Sequence, residues 1–263
     1  MKSFKEARRI VVKVGTSTLT YETGRMNIRR IEQLCKVLAD LKNSGREILL
    51  VSSGAIAVGV SKLRLPSRPS DTPTKQAAAA VGQCELMAMY DHCFQAYSHV
   101  PAQVLLTHED VNYEQRQTNI VNTISRLLAL DTIPVFNEND TVAVEEIAFG
   151  DNDTLSAVVA EMAQADALVL MSDIDGLYTA DPRTDPQARR IEVVTQLTPE
   201  LMALAGSAGS SRGTGGMVTK LRAAEIACRA GIPMAIVNGE APELLYELLD
   251  GAGVGTRFIW GES

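Results

Sequence analysis

The residues of this chain best suited to chemistry are two short clusters of carboxylates and amides, Asn137-Glu138-Asn139-Asp140 and Gly150-Asp151-Asn152-Asp153, and two distant lysines, Lys13 and Lys220. Each cluster lies where an apolar, strand-like run gives way to a turn or a helix start. Carboxylates and amides are costly to bury unless they are paired or bind a ligand, and ligands collect at strand ends in α/β sheets. With the lysines, they predict a site for anionic substrates built from distant segments.

Five segments carry these groups. Lys13-Val14-Gly15-Thr16-Ser17 sets a lysine inside an apolar strand ahead of a glycine turn. Such a turn can offer an ammonium and backbone N–H groups to one anion; the plain alternative is an edge-strand lysine facing water. Ser52-Ser53-Gly54-Ala55-Ile56-Ala57-Val58-Gly59 is a strand end running into a small-residue helix. Ser53 can simply cap that helix, while Gly54 lets a ligand approach the backbone, and Ala57 and Gly59 suit tight helix packing. In the acidic clusters, Asp151 and Asn152 can cap a helix beginning near Asp153. Capping needs only one such residue, however, and several polar groups crowd the end of Pro134-Val135-Phe136.

The fourth segment runs from Ser172-Asp173-Ile174-Asp175-Gly176 to Asp181-Pro182. Asp-Gly and Asp-Pro are turn signals, so it is either a plain hairpin or a bed for a nucleotide at a strand end. The fifth is Gly213-Thr214-Gly215-Gly216-Met217-Val218-Thr219-Lys220. It fails as a P-loop because the glycine before the lysine is missing, and as a dinucleotide fingerprint because Val218 takes the last glycine place. Glycines opening a helix with a lysine one turn inside can still cradle polyphosphate; the plain alternative is a flexible loop.

The framework that must position these segments is predicted from apolar periodicity. Strands are expected at Ile10–Val14, Glu47–Val51, Val100–Leu106, Thr132–Phe136, Ala167–Met171 and Ile232–Val237. Helices are expected through Ile31–Leu41 (stopped by Gly45), from Pro73 to Tyr97, at Ile120–Leu128, at Leu155–Met162 and after Gly216. Strands alternating with helices predict an α/β chain with a mostly parallel sheet covered on both faces. Gly206 to Gly213 reads as a linker or a mobile loop over a site. A soft lobe boundary near residue 166 divides 1–165 from 166–263.

Bulk properties narrow the classes. At 263 residues and 28.3 kDa the chain is one large α/β domain or two lobes, with 46% hydrophobic residues for a core. A net charge of −7 and a pI near 5.1 argue against broad nucleic-acid or anionic-membrane binding. No run approaches the roughly 18 apolar residues of a membrane span, and the charged start with its short apolar run does not fit a signal peptide. Cys35, Cys84, Cys93 and Cys228 have no metal spacing and read as buried free thiols of a reducing cytoplasm. His92, His99 and His108 lie outside all five segments, and GxSxG and HExxH are absent, which argues against hydrolysis by a triad or a zinc site.

Taken together, KVGTS, SSGAIAVG, NENDTV, FGDNDTLSA, SDIDGLYTADPR and GTGGMVTKLRAA, in this order across nearly the whole chain, resemble the amino acid kinase family and, within it, the glutamate 5-kinases. The resemblance implies a three-layer α/β/α sandwich, with the amino acid bound by the N-terminal part and ATP by the C-terminal part. It implies that Lys13 and Lys220 contact the phosphoryl group in flight and that Asp153 holds them. Ser53, Gly54, Asp140 and Asn152 would bind L-glutamate. Lys13, Gly15, Ser172, Asp173 and the stretch Thr214, Gly215, Gly216, Met217, Val218, Thr219 and Lys220 would bind ATP, with Mg²⁺ carried on the nucleotide rather than in a protein metal site. It further implies feedback by L-proline, a homo-oligomer, and no room after the kinase region for the PUA domain that many relatives carry. Within the family, kinases of N-acetylglutamate, aspartate, carbamate and uridylate are rivals; outside it, a non-catalytic ligand sensor or a scaffold.

Overall fold

The apolar strands read as unbroken runs because both of their faces are buried. Alternate side chains of each strand feed two separate cores. In the computed structural model, residues 3–143, 151–180, 182, 184–206 and 216–260 are described, with backbone only for 203–206. In chain order the elements are β1 (Arg9–Val14), α1 (Thr16–Leu19), α2 (Ile28–Asn43), β2 (Glu47–Ser52), α3 (Ala55–Lys62), α4 (Thr72–Gln95) and β3 (Pro101–Leu106). There follow α5 (His108–Asn112), α6 (Glu114–Ala129), β4 (Ile133–Glu138), α7 (Asn152–Met162), β5 (Ala167–Ser172) and the short strands β6 (Leu177–Tyr178), β7 (Arg190–Ile191) and β8 (Val193–Val194). The chain continues through α8 (Pro199–Gly206), α9 (Met217–Arg229), β9 (Met234–Asn238), α10 (Leu244–Leu249) and β10 (Thr256–Phe258).

Among the described residues the main sheet has eight strands in the order β3-β4-β2-β1-β5-β9-β10-β8. Its pairings are parallel except β9 with β10. Ile10, Val12 and Val14 of β1 and Leu50 of β2 face Leu34 and Leu38 of α2, Phe94 of α4 and Leu248 of α10. Val11, Leu49 and Leu168 face the other way, onto Leu155 and Val159 of α7 and Leu221 of α9. The result is the α/β/α sandwich expected. Each fully buried Leu or Ile in these layers contributes about 1.5–3 kcal/mol of transfer free energy.

The predicted strands and long helices are all present. Four short helices (α1, α5, α8, α10) and the strands β6–β8 and β10 went unanticipated, because three residues in β10 or six in α10 are too few to establish a period. Of the thiols, Cys35 and Cys93 are buried as expected. Cys84 is exposed and Cys228 half-buried, because they occupy outward positions on α4 and α9. No helix among the described residues is long and apolar enough to cross a membrane.

Two features position the site. At the carboxyl edge of the sheet the chain leaves β1 toward β2 and leaves β5 toward β9, in opposite directions. Such a reversal opens a crevice where ligands bind. Secondly, α3 and α4 cross at van der Waals contact. A Cβ on Gly59 would lie 1.8 Å from the Ala78 carbonyl oxygen, and one on Gly82 would lie 1.8 Å from that of Ala55. The tight packing expected at Gly59 is therefore real, and Gly82 is its counterpart.

Candidate active site

Lys13 shares the β1 face of Val11, so strand alternation turns it toward α7. It is no edge-strand lysine: β1 lies inside the sheet, and the residue is 8% exposed. Asp151 caps α7, accepting from the Thr154 amide at 2.7 Å and the Thr154 hydroxyl at 3.0 Å. That cap sets Asp153 in the first helical turn, buried to 1% exposure, where the helix dipole favours a carboxylate.

The two lysines meet there. Lys13 Nζ lies 2.7 Å from Asp153 Oδ1, and Lys220 Nζ lies 3.1 Å from Oδ2. Thr219 Oγ1, one residue before Lys220 in α9, also donates to Oδ2 at 2.8 Å. Burial by itself would push the Asp153 carboxyl up. The charges of Lys13 and Lys220 and the Thr219 hydroxyl outweigh it, holding the group well below the usual carboxylate range. The outcome is a buried unit with two cations and one anion, net positive inside a molecule of net charge −7.

Beside this unit lies a cavity of about 120 Å³, on the scale of a small metabolite and below the roughly 300–1,000 Å³ typical of drug-sized ligands. The amide of Asn152, the first residue of α7, organises its wall. Asn152 Nδ2 is 2.8 Å from the Ser52 carbonyl oxygen, 2.9 Å from Asn137 Oδ1 and 3.0 Å from Ser53 Oγ. The expectation that Ser53 caps α3 is corrected. Gly54 holds the cap position at φ +98, where no side-chain cap bond forms, and Ser53 instead accepts from Asn152. A positive φ suits glycine and turns the strand end into the cavity wall.

Asp140 lines the same cavity. Burial, reinforced by the charge of Glu138 and opposed by that of Arg68, pushes its carboxyl up to about 6. Burial likewise pushes Asp151 up, against the Thr154 amide.

On the other side of the crevice Ser172 is buried at the end of β5 and donates to Asp173 Oδ1 at 3.1 Å, while Asp173 itself is exposed. The following Asp175 accepts from Tyr178 Oη at 2.8 Å and from Arg190 at 3.1 Å. Its Asp-Gly pair precedes β6, whereas β6 and β7, which follow one another in sequence, pair antiparallel; the hairpin reading thus holds for β6 and β7 but not for a turn at Asp-Gly. Gly15 sits close to the ammonium: a Cβ there would be 3.7 Å from Lys13 Nζ. Gly216 caps α9, and with the half-buried Met217 and Val218 it starts the turn that ends in Thr219 and Lys220. Thr214 and Gly215, together with Gly150, Asp181 and most of the Gly206–Gly213 stretch, lie outside the described residues.

Lys13, Asp153, Thr219 and Lys220 are thus brought into mutual contact, and Ser53, Gly54, Asp140 and Asn152 border one cavity. Two contributors escaped the sequence reading. Gln83 in α4 is buried and accepts from Asn137 Nδ2 at 2.9 Å, fixing the amide that Asn152 reads. Its signal was a polar residue on the buried stripe of a helix. Arg68 reaches the cavity from the loop before α4; its signal was a cation bracketed by Pro66 and Pro69.

Comparison with known proteins bears on the family and the fold. Residues 8–238 match the model of the amino acid kinase family. The chain is 52% identical to a glutamate 5-kinase of Clostridium perfringens, covering 98% of this chain and 97% of that protein. It is 50% identical to one of Listeria welshimeri, covering 98% and 95%. Among solved structures, the isopentenyl phosphate kinase of T. acidophilum superposes with a TM-score of 0.66 at 17% identity over 95% of this chain and 99% of that one. The UMP kinase of Bacillus anthracis gives 0.63 at 15% identity, covering 96% of each chain. These two likenesses concern the fold. With a family match running from before Lys13 to the end of β9, and with near full-length relatives at half identity, the chain belongs to the amino acid kinase family.

Proposed function

We propose that this protein transfers the γ-phosphoryl group of ATP to the side-chain carboxylate of L-glutamate, making L-glutamyl 5-phosphate, the first step of proline biosynthesis. The observation that carries the reading is the clasp of Lys13 and Lys220 on Asp153 beside a small polar cavity. The near full-length relatives named glutamate 5-kinase support the choice of acceptor.

The chemistry follows from charge. A glutamate side chain has a pKa of about 4.3, so it is an ionised nucleophile at neutral pH and needs no general base. The difficulty is bringing an anion onto a polyanion. Lys13 and Lys220 offset that repulsion and stabilise charge spread over the transferring phosphoryl oxygens. Asp153 holds both ammonium groups in place, at 2.7 Å from Lys13 and 3.1 Å from Lys220. Asp140 receives the α-ammonium of glutamate, while Ser53, Gly54 and Asn152 position the rest.

In this reading the N-terminal part (1–165) holds the amino acid and the C-terminal part (166–263) the nucleotide. The first turn of α9 supplies amides to the phosphates, flanked by Gly15, Ser172 and Asp173. Among the described residues no three His, Cys, Asp or Glu side chains converge as a metal cage. In this reading Mg²⁺ is carried by ATP oxygens and water, where it neutralises phosphate charge. L-Proline, shaped like cyclised glutamate, competes near Asp140, and a proline titration at fixed glutamate tests this. The same family reading includes a cytoplasmic homo-oligomer.

Incubating the protein with MgATP, hydroxylamine and each candidate acid traps any acyl phosphate as a hydroxamate. The expected result is hydroxamate from L-glutamate. Product from N-acetylglutamate or aspartate alone overturns the acceptor assignment. A ligand-induced melting shift with no ADP release in any mixture would return the chain to a non-catalytic sensor.

A further inference from the structure

The cavity described above lies at the carboxyl edge of the sheet. A larger one lies at the amino edge, and the proposed reaction gives it no task. It measures about 300 Å³, roughly twice the ~150 Å³ that admits a benzene ring. Its walls come from both ends of the chain: the single turn Phe4–Glu6 ahead of β1, the end of α10, and β10 with the residue after it. Phe258 of β10 pairs with Met234, the first residue of β9, which places Ile259 at the amino edge. From there β1, β5 and β9 run away toward the lysine clasp, so a ligand held here is not a reactant at that clasp.

Strand alternation decides what faces in. Phe258 is turned onto the core of α7 and α9, so its neighbours Arg257 and Ile259 point to the opposite face, where Phe4 and Leu248 pack. The walls are therefore largely apolar, Lys5 and Arg257 supply the charge, and no acid is among the described residues that line the cavity. This is an all-cationic site in a molecule of net charge −7. The guanidinium lies by the loop after α10, since a Cβ on Gly253 would stand 3.5 Å from Arg257 Nη2. Its Nε is buried without an acceptor. Neither the guanidinium nor the Lys5 ammonium has a hydrogen-bond or ion-pair partner among the described residues. A desolvated N–H without an acceptor is costly, and a bound oxyanion would relieve the guanidinium.

We propose that this cavity binds a carboxylate carried on an apolar, ring-bearing body, with Arg257 and Lys5 on the carboxylate and Phe4, Leu248 and Ile259 against the body. An arginine fork matches the two oxygens of a carboxylate, and Lys5, exposed at the rim, adds a second charge. Charge alone does not define the ligand, because a bare ion such as acetate leaves the apolar walls and most of the volume unfilled. A wholly apolar guest leaves the guanidinium desolvated and unpaired. A molecule with both parts satisfies both.

The probe is 2-naphthoate, titrated calorimetrically into the full chain beside its neutral isostere 2-naphthamide and beside acetate. The expected result is a single site for 2-naphthoate, with 2-naphthamide about tenfold or more weaker, the scale of a lost charge-assisted hydrogen bond, and acetate without measurable heat. Saturating MgADP and L-glutamate should leave the 2-naphthoate Kd unchanged. Arg257→Gln should weaken 2-naphthoate about tenfold or more and 2-naphthamide by no more than about threefold. Lys5→Gln, at the exposed rim, should act in the same direction and keeps the test alive should Arg257→Gln fold poorly. Ala252→Trp, which sets a large side chain across the cavity, should abolish binding of both ring compounds with Tm unchanged. No binding of 2-naphthoate to the unaltered protein overturns the proposal, as does equal affinity for acid and amide. Displacement of 2-naphthoate by MgADP or glutamate would place it in the reaction crevice and overturn the proposal too.

Discussion

Asp153 is the residue on which the site's electrostatics turn, and its substitution separates chemistry from binding. In Asp153→Asn the two lysines lose their shared counter-charge, while the Thr219 hydroxyl can still donate to the amide oxygen. We predict a fall in kcat of about 100-fold or more with a much smaller change in nucleotide affinity, read by steady-state kinetics alongside nucleotide titration. Its pH linkage has a definite sign. The folded carboxyl is held below its unfolded value, so it stabilises fully above a pH of about 4 and loses that contribution as acid protonates it. The stability gap between the unaltered protein and Asp153→Asn should therefore be constant near neutrality and close below about pH 4. A gap that widens in acid contradicts the ion cluster.

Asp140 has the opposite linkage. Its carboxyl is pushed up to about 6, so it takes up its ammonium-binding charge only as pH rises through that value. We predict that kcat/KM for glutamate rises through pH 6 and that Asp140→Asn flattens this limb as well as lowering it. An inflection that survives the substitution belongs to another group.

At the scale of elements, the crossing of α3 over α4 is the strictest steric demand near the cavity. Gly59→Ala forces a methyl into the Ala78 carbonyl, and we predict a loss of about 3 kcal/mol in denaturant unfolding; an unchanged midpoint would mean that the helices can separate. Gln83→Leu leaves Asn137 Nδ2 without its acceptor, and a cost of about 1–3 kcal/mol is expected together with a raised KM for glutamate. The main elements were legible because burial on both faces writes itself as unbroken apolar runs, as in Ile10–Val14 and Ala167–Met171. The site was legible only in part. Ser53 read locally as a cap, since nothing near it in sequence announces Asn152, a partner brought in by β2 and α7 together. The Lys13–Asp153–Lys220 contact cannot be read from local pattern at all, and only the joint order of motifs suggested it. Gln83 and Arg68 went unnoticed because a single polar residue on a buried helix stripe, or a single cation between two prolines, does not by itself name a partner.

For the whole molecule, β1 pairs with β2 on one side and with β5 on the other. The division near residue 166 is thus spanned by continuous sheet. We predict a single cooperative melting transition, with calorimetric and van't Hoff enthalpies in agreement; two separated transitions would make the parts independent. MgATP at 100 times its Kd should add about 2.7 kcal/mol, provided the folded protein alone binds it.

The lysine clasp also has a consequence for how the protein comes into being on the ribosome. Its cations come from the first strand and from α9, so a nascent chain that has not yet extruded Lys220 can offer Asp153 only half its complement. On the role proposed for the clasp, phosphoryl chemistry would be withheld until synthesis is nearly finished, and a prematurely terminated copy would be silent rather than a leaky consumer of ATP.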